Sequence, residues 1–377
     1  MKPIMSRFFV STLLAMGTLV AGAESQYYTY ETPYKVPVLK ETNRNMPAKN
    51  VILMIGDGMG IHHTTAAWVA NRGELHIFNC PITGIARTWC SDKLITDSAA
   101  SGTAIATGTK TLYGRVAISP EGKELHSLID AAQSMGKSTG IVVTSGLNDA
   151  TPAAFVANNK SRDKAQEIIA DYTKSKINFI FGGGAKHFTN RSDGRDIFKE
   201  MKSKGYRVAT SWEEGKKLPK GKSLIVVADD NLPEPSKRKD VLVQATKKAL
   251  DTLAENKKGF FLMVEGSCID KAAHSNDLTQ VVEETLDFDQ SVGAVLAWAA
   301  KRPGTLVVVT ADHNTGAFAI VGGDKEKGEV KAKFNSGGHD GVSVPVYAYG
   351  AGSHKFTGVY ENSDLPKKIK EAMKGTK

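Results

Sequence analysis

The sequence is poor in several things whose absence narrows its class. Three cysteines in 377 residues are too few for a disulfide-stapled scaffold or for a zinc site of four thiolates. No block of five or six like charges occurs, so 49 Lys and Arg against 40 Asp and Glu give a spread-out +9. There is no basic stripe or aromatic platform of the kind a nucleic-acid partner requires. No Pro-, Gly- or Ser-rich linker and no internal repeat divides the chain. With 41% hydrophobic residues, 24% charged residues and 36 glycines, disorder, collagen and coiled coil are excluded, and the chain is long enough to bury a large core.

Residues 1–23 read as a signal peptide. Lys2 and Arg7 flank a short apolar run from Phe8 to Val20, and Ala21-Gly22-Ala23 supplies small residues at the cleavage positions. The run is too short for a membrane span, and no other segment reaches about 18 apolar residues. The expectation is a periplasmic or secreted protein with one domain over 24–377, off the membrane once the signal is cleaved. Removing Lys2 and Arg7 leaves 47 basic residues against 40 acidic, or +7. Export would expose Cys80, Cys90 and Cys268 to an oxidising compartment. Ten extended residues span about 33 Å against a disulfide limit of about 7 Å, so Cys80 and Cys90 could be joined only if the chain turned back at Gly84. Cys268 lies in an apolar stretch and is expected to be buried.

Apolar runs at 50–55, 138–144, 177–181, 223–227, 259–264, 305–310 and 344–349 lack polar alternation, as suits strands buried on both faces of a parallel sheet. Helical patterns at 125–135, 162–173, 193–204, 239–256 and 278–301 separate them. The alternation predicts an α/β fold, a doubly wound and mostly parallel central sheet with helices on both faces.

In such sheets ligands bind beyond the carboxyl ends of the strands. Asp57 follows the first run, Asp149 and Thr151 the second, Glu265 ends another, and Asp312 and His313 follow the run at 305–310. Scattered surface carboxylates would not favour one end of every strand, so this convergence points to a carboxylate-rich metal site. Asp270 and His274 are four apart and share a face on a helical turn, an oxygen and a nitrogen suited to zinc. His339, flanked by glycines, could complete a set. A lone histidine is more often satisfied or solvated, and that reading is taken for His62, His63, His76, His126, His187 and His354. An Asp/His pair at this spacing is also commonly just an ion pair.

The segment from Asp97 to Ala104 opens a helix with small residues. A serine there sits at the positive end of the helix dipole. Most such serines only cap, and Asp97 could equally cap. Ser98 rises above that reading because a two-metal site can activate an alkoxide without a histidine base.

Several segments together resemble alkaline phosphatases. They are Val51-Ile-Leu-Met-Ile-Gly-Asp57-Gly-Met-Gly60, Thr96-Asp97-Ser98-Ala-Ala-Ser-Gly-Thr-Ala104, Asp149-Ala-Thr151-Pro-Ala-Ala154, Phe181-Gly-Gly-Gly184, Met263-Val-Glu265-Gly-Ser-Cys-Ile-Asp270-Lys271, Thr310-Ala-Asp312-His313 and His339. They run in the family's order through nearly all of the chain beyond the signal. The resemblance implies two Zn2+ and one Mg2+ per chain and a phosphoserine formed at Ser98. It assigns one zinc to Asp270, His274 and His339 and a second to Asp312, His313 and Asp57. It places the magnesium with Asp57, Thr151 and Glu265. Arg162, which the residues alone would not have singled out, becomes the bidentate clamp on two phosphate oxygens. Asp149 and Lys271 look like the variant with a carboxylate and an ammonium beside the third metal, which favours magnesium held through water. Ala273 departs from relatives with a polar group there.

The resemblance also implies small phosphomonoesters as substrates, inorganic phosphate as product and a possible homodimer. The 354 residues beyond the signal leave little room for lids, so an open, shallow site is expected. A sulfatase would need a Cys/Ser-x-Pro-x-Arg context that Ser98 lacks. A phosphodiesterase would replace the fork arginine, and a non-enzymatic binder would not need every catalytic position.

Overall fold

The computed structural model describes residues 24–41 and 44–374, so the expected signal peptide lies outside the described residues. Ten strands form the central sheet. They are β1 (Asn50–Gly56), β2 (Ile82–Arg87), β3 (Ser138–Gly146), β4 (Phe179–Gly183), β5 (Arg207–Ala209), β6 (Ser223–Val226), β7 (Phe260–Gly266), β8 (Thr305–Thr310), β9 (Val344–Gly350) and β10 (Gly358–Glu361). Their spatial order is β10-β2-β9-β8-β1-β7-β3-β4-β6-β5. Every neighbouring pair is parallel except those of β9, which runs against both β8 and β2.

The unalternating apolar runs became the middle of this sheet. Val51 to Ile55 and Leu306 to Val309 are fully buried, so both faces are covered. The helix Leu278–Ala300 packs along β1, β7 and β8 and buries Val281, Leu286, Phe288, Val292, Val295, Leu296 and Ala299, the residues whose spacing predicted it. The other predicted helices appear trimmed at their ends, as Leu128–Ser134, Ala165–Asp171, Ile197–Ser203 and Val241–Leu253. The two sheet edges, β5 and β10, went unpredicted. At three residues β5 is too short to carry a pattern, and β10, Gly-Val-Tyr-Glu, lacks the continuous apolar run that the equally short β6 shows with Val227. All three cysteines are free and buried, so the chain makes no bridge at Gly84.

Two small ladders stand beyond the sheet. One pairs Gln26–Thr29 and Ala319–Asp324 with Glu329–Lys333. The other, only two residues long, pairs Asn314 with Asp340 and Thr315 with His339. The reversed β9 explains how His339 reaches the site. Val346 of β9 pairs with Thr310 of β8, so the start of β9 lies at the edge where the parallel strands end. The segment before β9 therefore meets the segment after β8 at that rim.

Candidate metal and catalytic centre

The rim turns are built tightly. After β1 the chain turns through Gly58, at φ +68, whose amide donates to Asp312 Oδ1 at 3.0 Å. A Cβ at Gly58 would lie 2.6 Å from Thr315 Oγ1, so the left-handed turn and the crowding both require glycine. Asp57, Asp312 and His313 gather here, all buried. His313 Nε2 is 3.1 Å from Asp312 Oδ2, 3.5 Å from Asp57 Oδ1 and 3.1 Å from Ser98 Oγ.

A second group abuts it. Asp270 and His274 share one face of the helix Cys268–His274, with His274 Nε2 3.3 Å from Asp270 Oδ2. His339 Nε2 lies 3.5 Å from Asp270 Oδ1 and 3.1 Å from His274 Nε2, and the His339 ring stacks on His313 at 3.6 Å between centroids. His274 Nδ1 meets the Gly337 carbonyl at 2.7 Å and His339 Nδ1 meets the Thr96 carbonyl at 2.8 Å. A carbonyl only accepts, so both rings carry a hydrogen on Nδ1 and turn Nε2 toward Asp270. In neutral rings, two such Nε2 atoms facing each other form a donor set for a cation rather than a hydrogen bond.

The third group is the most telling. Glu265 at the end of β7 and Thr151 in the helix Ala150–Ala153 are fully buried. Both Glu265 carboxylate oxygens, Thr151 Oγ1 and Asp57 Oδ1 have no hydrogen-bond partner. Leaving buried carboxylate oxygens unpaired costs several kcal/mol, so the donor set fits a hard divalent cation with oxygen ligands. Beside it, Asp149 takes Lys271 Nζ at 2.8 Å on Oδ2 and Arg162 Nη2 at 3.2 Å on Oδ1.

The electrostatics agree. Burial, reinforced by Asp312 and Asp270, pushes Asp57 well above the usual carboxylate range, and burial beside Asp149 does the same to Glu265. Burial would also raise Asp270 and Asp312, but the imidazoles of His274 and His339 hold the first well below that range and His313 lowers the second. At Asp149 the Lys271 and Arg162 cations overcome burial and lower the carboxyl.

Ser98 is the first residue of the helix Ser98–Thr107, and Asp97, not Ser98, is its cap. Asp97 Oδ1 accepts from the amides of Ala100 and Gly114, each at 3.1 Å, while Oδ2 accepts from Arg162 Nη1 at 3.1 Å. The serine hydroxyl is thus free to point at His313, and Arg162 is braced beside it between two carboxylates. The structure brings Ser98, Asp57, Asp270, His274, Asp312, His313 and His339 together, joins Arg162, Asp149 and Lys271 by ion pairs, sets Glu265 within electrostatic reach of Asp57 and Asp149, and lays Thr151 against Gly102 of the Ser98 helix. What the residue reading missed is supporting structure. The missed parts are the orienting carbonyls of Thr96 and Gly337, the bracing of Arg162 by Asp97, and the hydroxyl of Thr315 on Asp270 at 2.6 Å. Main-chain carbonyls leave no trace in side-chain spacing.

His63 corrects an expectation. It is neither solvated nor satisfied: it is fully buried edge-on to Phe318, neither ring nitrogen has a hydrogen-bond partner, and burial pushes it down to about 3. A cavity of about 820 Å³ lined by Glu124, Asp130, Lys174 and Arg195 includes none of the predicted residues.

The alkaline phosphatase family model matches residues 48–332. This chain belongs to the alkaline phosphatase family. It is 36% identical to alkaline phosphatase 4 of Bacillus subtilis over 86% of this chain and 89% of that one. To the alkaline phosphatase of Escherichia coli it is 30% identical over 95% and 92%. The alkaline phosphatase of the Antarctic bacterium TAB5 superimposes with a TM-score of 0.83 at 32% identity, covering 90% of this chain and all of that one. A histidine-to-aspartate variant of the TAB5 enzyme has been solved with magnesium bound in its M3 site. The chain is therefore an enzyme, a metal-dependent phosphomonoester hydrolase of the alkaline phosphatase type.

Proposed function

We propose that this alkaline phosphatase works through a phosphoserine at Ser98, with two zinc ions and one magnesium ion per chain. Asp270, His274 and His339 would hold one zinc, and Asp57, Asp312 and His313 the other. Asp57, Thr151 and Glu265 would hold the magnesium. The observation that carries this reading is the set of buried, partnerless oxygens on Asp57, Thr151 and Glu265 beside the converging Nε2 atoms of His274 and His339. Cations bound there would supply Lewis-acid stabilisation of the attacking and leaving oxygens.

The residues of the chain do the rest. Ser98 Oγ, at the positive end of its helix, forms the bond to phosphorus as the bond to the ester oxygen breaks; the serine proton passes to solvent and the leaving oxygen takes a proton from water to depart as the alcohol. Arg162 presents its fork to two phosphate oxygens, braced by Asp97 and Asp149 so that little freedom is lost on binding. Water then displaces Ser98, and inorganic phosphate departs. Asp149, already engaged by Lys271 and Arg162, would meet the magnesium through water rather than directly. An anomalous map with zinc bound directly by Asp149 would contradict it.

Small phosphomonoesters are the substrate class, met in an open site, and the chain would act as one catalytic domain over 24–377. The apolar start and small residues of 1–23 support export to the periplasm or medium, and a homodimer accords with the family. Among the described residues no helix is long and apolar enough to cross a membrane. The deciding assay compares p-nitrophenyl phosphate with its bis-ester. The monoester should turn over, and activity should vanish in chelator and in Ser98→Ala with the fold intact. Preference for the bis-ester would refute the proposal.

A further inference from the structure

Each imidazole at the site is oriented through its Nδ1, but not by the same kind of partner. His274 and His339 use main-chain carbonyls, which no substitution removes. His313 instead meets a side chain, Thr315 Oγ1, at 3.2 Å. The same hydroxyl lies 2.6 Å from Asp270 Oδ1. A carboxylate has no hydrogen to give, so the Thr315 hydroxyl donates its only one to Asp270. It can then only accept from His313, which places the His313 hydrogen on Nδ1 and leaves Nε2 toward Ser98, Asp57 and Asp312.

We infer that Thr315 is a positioning residue shared by both histidine-containing groups, one hydroxyl orienting Asp270 in the first and His313 in the second. The inference rests on the reading that these groups bind metal. Thr315 is itself fixed. It is fully buried, its amide donates to Gly58 O at 3.2 Å, and it pairs with His339 across the two-residue ladder. The Gly58 turn closes over Oγ1 so tightly that a side chain there would collide with it. Partners of this kind fix the ring orientation and basicity of metal ligands, and losing one weakens metal binding about 10–100-fold.

The test is chelator competition with zinc-loaded protein, followed with a chromophoric zinc indicator, alongside the pH profile of kcat. Thr315→Val removes the hydroxyl at nearly constant volume, and Thr315→Ser keeps it. Thr315→Val should bind zinc about 10–100-fold more weakly and shift the pH profile, while Thr315→Ser should stay within about threefold of the parent on both. If Thr315→Val is insoluble, Thr315→Ala makes the same test. A hydroxyl-free variant that retains zinc like the parent would overturn the inference, as would a serine variant impaired as badly as the valine one. A parent protein that binds no zinc would overturn the metal reading itself, whereas a zinc-binding parent with an unaffected Thr315→Val would overturn this inference alone.

Discussion

Among the described residues, two buried acidic clusters can be set side by side, and they are completed in opposite ways. In the first, Glu284 and Asp287 on the helix Leu278–Ala300 surround Arg238. The guanidinium donates to Glu284 at 2.8 and 2.6 Å and to Asp287 at 3.2 and 2.5 Å, with a further bond to the Pro233 carbonyl. In the second, at the sheet rim, Asp57 and Glu265 are as deeply buried but keep oxygens that accept no hydrogen bond. Lys271 and Arg162 approach this rim, yet they spend their hydrogen bonds on Asp149 and Asp97. Residue type and burial are alike, so the difference is where the neutralising charge comes from. The Arg238 cluster brings its own cation and is structural. On the proposed reading the rim cluster is completed by bound cations, in keeping with the metal dependence of the family.

The sharpest way to break this contrast is at the nucleophile. Ser98→Ala should cost on the order of 10⁴-fold or more in kcat while zinc content and circular dichroism stay unchanged. Loss of metal in that variant would show Ser98 to be structural. Next, Arg238→Met should destabilise the protein by about 3–5 kcal/mol in urea titrations, because it strands two buried carboxylates. Zinc content per folded chain should be unaltered, and a coupled loss of zinc would erase the distinction between the clusters. Arg162→Ala should lower kcat/KM about 10–100-fold and weaken inhibition by inorganic phosphate, again without loss of metal.

The smallest effect is in pH. In metal-free protein Asp57 and Glu265 stand above the normal carboxylate range, so the folded chain binds more protons there than the unfolded one. Their contribution to stability is full below the ordinary carboxyl values and is lost as pH rises through the raised ones. His274, raised mainly by its bond to Asp270, and His313, raised by Asp312 against burial, act in the same direction above the ordinary imidazole value. Asp149, Asp270 and Asp312 are lowered and act oppositely, but only below the ordinary carboxyl value. Buried His63, pushed down to about 3, acts oppositely below the ordinary imidazole value, while buried Glu284, Asp287 and Asp289 are raised and add to the decline away from the rim, so the urea midpoint of the metal-free protein should fall most clearly from about pH 7 to pH 8, and zinc with magnesium should reduce the decline. A midpoint that rises over that interval without metal would count against unpaired rim carboxylates.

Much of this was legible before any coordinates. Unalternating runs such as Val51 to Ile55 announce strands covered on both faces, and acids placed just after such runs announce the rim. Asp270 and His274 carry their shared face in their spacing. Other parts were not legible for physical reasons. The reversal of β9, which delivers His339 from the opposite chain direction, leaves no mark on an apolar run that reads the same either way. Arg162 looks like any surface cation between Ser161 and Asp163. Its partners Asp97 and Asp149 are 65 and 13 residues away, a proximity only the fold creates. His63 misled because burial without a partner is a property of packing around Phe318, not of local sequence.

The central claim is that the rim carboxylates and imidazoles are completed by cations that serve Ser98. Anomalous-difference maps from crystals grown with zinc and magnesium test it most directly. Zinc peaks should lie among Asp270, His274 and His339 and among Asp57, Asp312 and His313, with Ser98 Oγ facing the second, and a light ion should sit with Thr151 and Glu265. A map without peaks at the rim, with those side chains turned apart and Ser98 pointing away, would contradict the account.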